Sequence, residues 1–506
     1  MTEQGQSELD FRSISPAEFF YRNRQMAGFG NPTQAVYSAL RELVENGLDA
    51  CEGSHRVPEI DVGIEGIDSD TLKITVSDNG TGLPYHQVPE AFGRVLYGSK
   101  YGQKQKRGTF GLGVTMAILY AQITTDSPVH VHTQNPSGPG RAYSLFIDVE
   151  KNQPVIESER EQHRNSDGTT VALNLRGDLS RAKDRVVEYL RFTTISSPYA
   201  KIRYSIEQNP VEVIGGWIKT IPEEPRISKP HPRAADIELL RRMMANRKSK
   251  KIHDFLVESF QQMGERTTKR FLQFASIDPS TKLSSLSRGE IKRLSISLRH
   301  FDGVGRPDSK CLSPIDEESF LTAVRMLFNT SWSTYTKRGP VEWEGNPFLI
   351  EGVIATADEF PQSEQPTVYR FANRVPLLYD ATDDVITKVL KKINWGRYRA
   401  GKHNLSAALF IHFCSTKVPY RAAGKQSLAH RTEIENEVKA LLRTLGRSLR
   451  KQAGRQDRAQ RDSRRMREYS DMFRLIAKYG SALVDVDAPP ATAQMVRDLF
   501  EVNPHA

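Results

Sequence analysis

The string RELVENGLDA (41–50) places Glu42, Asn46 and Asp49 at i, i+4 and i+7, which puts all three on one helical face. A carboxylate and a neutral amide one turn apart suit a site that handles a water and a metal together. Glu42 would take a proton from the water, and Asn46 would lend a neutral oxygen to a Mg²⁺ that also grips phosphates. The same string also reads as a surface helix with a solvated polar face. Further on, TLKITVSDNGTGLP (71–84) ends an alternating strand (Leu72, Ile74, Val76) at Asp78, with Gly80 and Gly82 supplying the turn. An aspartate at a strand end beside bare backbone can accept a hydrogen bond from an exocyclic amine such as adenine N6. Aspartate as an ordinary turn former is the alternative.

Two further stretches carry chemistry of the same kind. AFGRVLYGSKYGQKQKRGTFGLGVTMAILYAQ (91–122) interleaves Gly93, Gly98, Gly102, Gly108, Gly111 and Gly113 with Lys100, Lys104, Lys106 and Arg107. Its glycine run stands before a helix predicted over 114–121, where backbone N–H groups can wrap phosphates. A plain surface loop would show the same glycines. No Gly-Lys-Ser/Thr follows, so this is not a Walker loop, and the dinucleotide fingerprint is absent too. In DGTTVALNLRG (167–177), Thr169 and Thr170 bring hydroxyls to a sheet edge where they would touch a phosphate or a base, although β-branched residues in a strand need no function.

Elements must hold these groups in place. The spacing predicts a helix over 38–51, with Val36, Leu40, Leu43 and Val44 as its apolar stripe. Strands are predicted at EIDVGIEG (59–66), VHVHTQ (129–134) and RAYSLFIDVE (141–150). Before them, Phe19, Phe20 and Tyr21 are too apolar for a free tail and should pack on this chain or a second copy. Prolines cluster in IPEEPRISKPHP (221–232), a linker signal, ahead of a helix-rich block over 231–300. A second connector, 306–320, leads to strand signals at 348–356, 366–380 and 403–416 with helices between them, a βαβ pattern. From Ile434 one long helix is predicted, striped by Val438, Leu441, Leu442, Leu445 and Leu449. Its stripe fades as arginines accumulate from Arg443 to Arg467, and an apolar patch (Met472, Phe473, Leu475, Ile476, Tyr479) comes next. The arginines would face a phosphate backbone or water, and the patch would dock a partner or pack back on its own domain.

At 506 residues the length suggests about three domains. With 38% hydrophobic residues the chain can build real cores, and a net charge of +10 favours a polyanionic partner, nucleic acid before membrane. Cys51, Cys311 and Cys414 are far apart and in no metal spacing, which implies a reducing, cytoplasmic setting. The start is polar and acidic, unlike a signal peptide, and the longest apolar run, near 114–121, is too short to span a bilayer.

Taken in order, E-x-x-x-N with D-A (42–50), D-x-G-x-G (78–82), G-x-x-G-x-G (108–113) and G-T (168–169) resemble the ATP-binding domain of the GHKL family, which includes gyrase B, Hsp90, MutL and the histidine kinases. The resemblance implies a multidomain α+β chain that begins with a GHKL (Bergerat) α/β sandwich. It implies Glu42 as general base, Asn46 as Mg²⁺ ligand and Asp78 as adenine reader. Gly80 and Gly82 would shape the base pocket. Asp49, Lys100, Gly108, Thr109, Phe110, Gly111, Leu112, Gly113, Val114, Thr169 and Thr170 would join the ATP site under a lid at about 93–112. Histidine kinases lack a base of the Glu42 type, so its presence favours hydrolysis.

Beyond the first domain, the helical block is similar to the helix-two-turn-helix insert of type IIB topoisomerase B subunits, and FANRVPLLY (371–379) to their βαβ-type transducer domain with its long C-terminal helix. There a lysine from a loop such as VPYRAAGKQSLA (418–429) touches the γ-phosphate, which makes Lys425 the candidate. The implied division is a strap (1–30), an ATP-binding domain (31–228), a helix-two-turn-helix domain (229–305), a transducer (306–480) and a tail (481–506). The implied cofactors are ATP and Mg²⁺. The implied partners are DNA, a second copy on ATP binding, and a separate DNA-cleaving A subunit in an A2B2 heterotetramer, with no membrane. A MutL-like repair ATPase and an Hsp90-like chaperone are the alternatives. Gyrase B is disfavoured because no acidic D-x-D segment follows the transducer.

Overall fold

The computed structural model describes residues 13–98, 105, 107, 111–226, 228–245, 247, 250–398, 406–422, 424–483, 491–494 and 496. Near the N-terminus, α1 (Pro16–Arg22) is capped by Ser15. Ala17 is buried and Phe20 packs on the core of this same chain, while Phe19 and Tyr21 stay exposed. The central helix, α2 (Pro32–Gly53), starts earlier than its apolar spacing alone indicates. Asn31 accepts a hydrogen bond from the Gln34 N–H at 2.8 Å, and Pro32 presets the first turn. The predicted stripe of Val36, Leu40, Leu43 and Val44 is buried, but so are Arg41, Glu42, Glu45, Asp49 and Glu52. The charged residues of this face are therefore buried and not solvated, while Asn46 stays half-buried.

An eight-stranded sheet lies beneath α2. It comprises β1 (Glu59–Gly66), β2 (Thr71–Asp78), β3 (Val129–Gln134), β4 (Arg141–Asp148), β5 (Gln153–Glu161), β6 (Gly168–Arg176), β7 (Lys201–Ile206) and β8 (Glu212–Gly215). The order is β5-β4-β3-β6-β2-β1-β7-β8, antiparallel except for β1 beside β7. The short α3 (Val88–Gly93) packs against β4 and β5. α4 (Gly113–Thr125) and α5 (Leu179–Ser196) flank α2, and their apolar residues close on the inward set Ile60, Val62, Ile74, Val76, Val131 and Leu173. This alternation of buried and half-buried residues along β1 and β2 fixes which way Asp78 points.

After an irregular stretch that contains the proline cluster, four helices form a core of their own. They are α6 (Ile237–Ala245), α7 (Ile252–Ser259), α8 (Glu265–Ala275) and α9 (Arg288–His300), packed through Leu240, Phe255, Leu256, Phe271, Leu294 and Leu298. Ser287 and Glu290 make a capping box at the start of α9.

The last body holds α10 (Glu317–Phe328), β9 (Trp332–Trp343), β10 (Asn346–Thr356), β11 (Thr367–Ala372), β12 (Val375–Pro376), α11 (Val385–Lys392), β13 (Ala407–Ser415) and α12 (Thr432–Leu483). Its sheet runs β12-β11-β13-β10-β9, with β11 and β13 parallel and α11 lying between them in the chain, which is the predicted βαβ unit. One face packs on α11 and α12. The other packs on α10 and, through Phe192 and Ile195, on α5 of the first body. Along α12 the stripe Ile434 to Leu449 is buried, and burial ends at Ala453 for most of the residues beyond. The arginines past that point are exposed, as are Met472 (44%), Ile476 (58%) and Tyr479 (66%).

Four strands, β5, β7, β8 and β9, escape the reading of the sequence, and two of them show why. β5 lies at the edge of the large sheet and is exposed along nearly its whole length, so it shows no alternation. β9 is the edge of the second sheet, half-exposed and carrying Pro340, a residue that ordinarily argues against a strand but is tolerated at an edge.

Candidate active site

Three elements converge at the polar face of α2. The C-terminal end of β2 brings Asp78. One oxygen of its carboxylate, Oδ1, accepts from the Gly80 N–H at 2.9 Å and the Thr169 N–H at 3.3 Å. Burial pushes its carboxyl up to about 6, against the pull of those two amides and Arg164. The DNGTG turn can pass here because Gly82 has φ +68° and a Cβ would lie 2.0 Å from the Gln134 carbonyl oxygen. Gly47, inside the α2 string, lets the helix come close: a Cβ there would meet Asp78 Cβ at 3.2 Å.

The N-terminus of α4 comes closer still to Glu42. A Cβ on Gly113 would sit 1.7 Å from Glu42 Oε2, so this oxygen faces the start of α4 at a place that a larger residue could take only by displacing the Glu42 carboxylate. The other oxygen, Oε1, takes the Arg41 guanidinium at 2.5 Å. Asn46, one turn on, is half-buried at the same face. Leu112 and Val114 pack against the core on either side of Gly113, and Gly111 has φ +61°. Lys100, Gly108, Thr109 and Phe110 lie outside the described residues.

The third element comes from the far end of the chain. Lys425, on the loop between β13 and α12, is buried, and its Nζ donates to the Arg107 carbonyl at 2.8 Å and to Glu45 Oε2 at 3.1 Å. Glu42 Oε1 lies 3.8 Å away. Burial lowers the Lys425 pKa, but Glu42 and Glu45 outweigh it and hold the ammonium above its ordinary value. Arg41 reaches the same loop through its Nη1, 2.7 Å from the Gly424 carbonyl.

Not every predicted residue joins this group. Asp49 lies on the same face but spends its Oδ1 on Arg107, by the backbone N–H at 3.3 Å and the guanidinium at 3.2 Å. Thr169 sits beside Asp78 and Thr133. Thr170 does not join them: alternation along β6 turns it to the opposite face, where its hydroxyl pairs with Ser77 at 2.9 Å. Arg41, Glu45, Arg107 and Arg164 are additions that the sequence motifs do not single out. Arg107 is buried among Asp49, Glu52 and Ser197, and Arg164 reaches Ser77 Oγ at 3.1 Å beside Asp78. Their only sequence signal is charge inside otherwise apolar or glycine-rich strings, which a surface salt bridge explains equally well.

The donor set fits a nucleotide. Asp78 offers a buried acceptor beside the backbone of the Gly80 turn, and the absence of a side chain at Gly113 lets Glu42 reach the start of α4. At Asn46 the chain offers one neutral oxygen, the kind of donor that a Mg²⁺ would take.

Comparison with known proteins agrees. Residues 31–176 match the family described as "Histidine kinase-, DNA gyrase B-, and HSP90-like ATPase", and residues 307–465 match "Topoisomerase VI B subunit, transducer". The chain is 40% identical over 446 residues to the B subunit of type 2 DNA topoisomerase 6 from Metallosphaera sedula, covering 87% of this chain and 84% of that one. It belongs to the B-subunit family of type 2 DNA topoisomerase 6. The relatives of the same name from Saccharolobus islandicus and Saccharolobus shibatae are 37% identical over 91% of this chain and 88% of theirs. A solved structure described as "Crystal Structure of N terminal domain of a DNA repair protein" superposes over 85% of this chain and 98% of its own with a TM-score of 0.42 and 14% identity, too loose to carry an argument. In family terms, Glu42, Asn46, Asp78, Gly113 and Thr169 lie in the GHKL ATPase domain and Lys425 in the transducer. Among the described residues no helix is long and apolar enough to cross a membrane.

Proposed function

We propose that this chain hydrolyses ATP at the polar face of α2 and converts the event into movement of its transducer for DNA strand passage. Glu42 takes the proton from the attacking water. Asn46 would hold Mg²⁺, which would supply charge neutralisation, and Asp78 accepts from the adenine amine. Gly80 and Gly82 shape the base pocket with Thr169 beside Asp78, and Lys100, Gly108, Thr109, Phe110, Gly111, Leu112, Gly113 and Val114 are assigned to the phosphates, whereas Asp49 serves the site by holding Arg107. Thr170, facing away, supports β6 from the other side. Lys425 offers its charge to the γ-phosphate. The observation that carries this reading is Lys425 itself, a transducer residue buried within 3.8 Å of the carboxylate that would activate water.

The names its relatives carry imply an A subunit and DNA as partners, and the further assembly is part of the same proposal. Two copies close on ATP, with residues 1–30 as a strap, and a DNA segment is trapped between them. The A subunit, which carries the cleaving tyrosine, docks at the exposed apolar patch near the end of α12 in an A2B2 assembly. The division into 31–228, 229–305, 306–480 and a tail at 481–506 describes the working parts, with the four-helix body as the helix-two-turn-helix module, in a cytoplasmic enzyme. The deciding experiment pairs nucleotide binding with turnover. Glu42→Ala should bind ATP within about threefold of the parent and lose turnover by about 10²-fold or more. Retained hydrolysis removes the assignment of the base.

A further inference from the structure

Arg41 and Glu45 flank the candidate base on α2, and neither takes part in that reaction directly. The residues around them are buried: Arg41, Glu42, Glu45 and Lys425 are each no more than 6% exposed. Two cations and two carboxylates make a charge-balanced cluster, as burial requires. The pairing inside it is uneven. Arg41 gives Nη2 to Glu42 and Nη1 to the Gly424 carbonyl, so its Nε stands at a loose 3.4 Å from Glu45 Oε1 with no hydrogen bond. Glu45 therefore is not mainly the i+4 partner of Arg41. Its shorter contact is to Lys425, 3.1 Å from Oε2, while Glu42 Oε1 is 3.8 Å from the same ammonium.

We propose that Glu45 is a positioning residue for Lys425: it holds the ammonium beside the Arg107 carbonyl and off the carboxylate of Glu42. The proposal rests on the reading of Glu42 as base and Lys425 as phosphate ligand. The physical reason is competition. A cation in full contact with a carboxylate stabilises its charged form and makes it a poorer proton acceptor. Glu42 already carries Arg41 on Oε1. A second cation collapsed onto it would blunt the base whose Oε2 faces Gly113. Glu45 supplies the counter-charge that lets Lys425 wait nearby. Arg41, by gripping the Gly424 carbonyl, fixes the loop from which Lys425 extends. Neutralising Glu45 leaves two cations and one carboxylate in the cluster, and Lys425 then turns to Glu42.

The test is a double-mutant cycle on the full-length chain with Glu45→Gln and Lys425→Met, read as kcat and KM for ATP. Glu45→Gln should lower kcat by about tenfold with KM within about twofold, and should cost less than about twofold when Lys425 is already methionine. A second readout is the pH profile of kcat: its acid limb should move to lower pH in Glu45→Gln and stay in place when Lys425 is already methionine. If the glutamine variant does not fold, Glu45→Asp, which keeps the charge on a shorter arm, enters the same cycle and should show a smaller loss with the same dependence on Lys425. Equal losses with and without Lys425, or an unchanged kcat, overturn the proposal. The two readings fail separately. A Lys425→Met variant with full activity removes Lys425 from the reaction and this proposal with it, whereas a slowed Lys425→Met variant with no coupling to Glu45 removes only the role of Glu45.

Discussion

Asp78 is held ionised at neutral pH against the preference of its surroundings. Its folded value of about 6 lies above the ordinary aspartate value of about 3.9. The native state therefore binds the proton more tightly than the unfolded chain does. The stability this contributes is complete below about pH 4 and is lost as pH rises through about 6. At pH 7 the buried charge costs at most about 3 kcal/mol. A ligand amine that hydrogen-bonds the carboxylate gives that charge a use. Asp78→Asn should accordingly raise the melting temperature at pH 7.5 and weaken ATP binding by about 10- to 100-fold. In the parent protein, affinity measured by calorimetry should fall as pH drops below about 6. Equal affinity at pH 5.5 and 7.5 would refute the role given to this side chain. Gly113 makes a companion prediction. Alanine suits the first turn of a helix, but its Cβ would occupy the place of Glu42 Oε2. Turnover in Gly113→Ala should fall by about 10²-fold while the melting temperature moves little, and a single-turnover assay beside a thermal melt checks both.

At the scale of elements, α2 shows what a sequence can and cannot reveal. Its helical spacing, the apolar stripe and the Glu42–Asn46 face are legible because they depend on neighbours within two turns. Its N-terminus is not, because Asn31 and Pro32 act as a cap and carry no periodicity. Asn31→Ala should cost about 1 kcal/mol, read as a shift in a denaturant midpoint, and an unchanged midpoint would show that the cap is dispensable. Edge strands are illegible for the opposite reason: β5 and β9 bury too little to show alternation. Among the site residues, Glu42, Asn46, Asp78 and Gly113 stand out by local motif. The partnership of Lys425 with Arg107 and Glu45 spans 318 and 380 residues, and no local pattern encodes it. Thr170 misses the site by one step of a strand, a spacing at which a side chain changes faces.

At the scale of the whole molecule, the two sheets do not move as strangers. Phe192 and Ile195 of α5 belong to the apolar core on one face of the second sheet, and Lys425 of the second body is sealed against α2 of the first. A rearrangement at the polar face of α2 would therefore touch both bodies. The exposed arginines of α12 give this scale its prediction. Replacing Arg458, Arg461, Arg464 and Arg465 by glutamine should weaken DNA binding and flatten its dependence on salt by up to about four units of slope if each meets one phosphate. A slope equal to that of the parent would place the DNA elsewhere.

The length of α12 adds a mechanical consequence. It is one helix of 52 residues, and its buried seam ends at Ala453. From Arg455 to Leu483 it extends roughly 43 Å at the rise of an α-helix. A tilt of about 10° at the seam would sweep the far tip through about 7 Å over that span. Such an arm would turn an adjustment of a few ångströms near Lys425 into a displacement large enough to lever apart a neighbour gripped at its end.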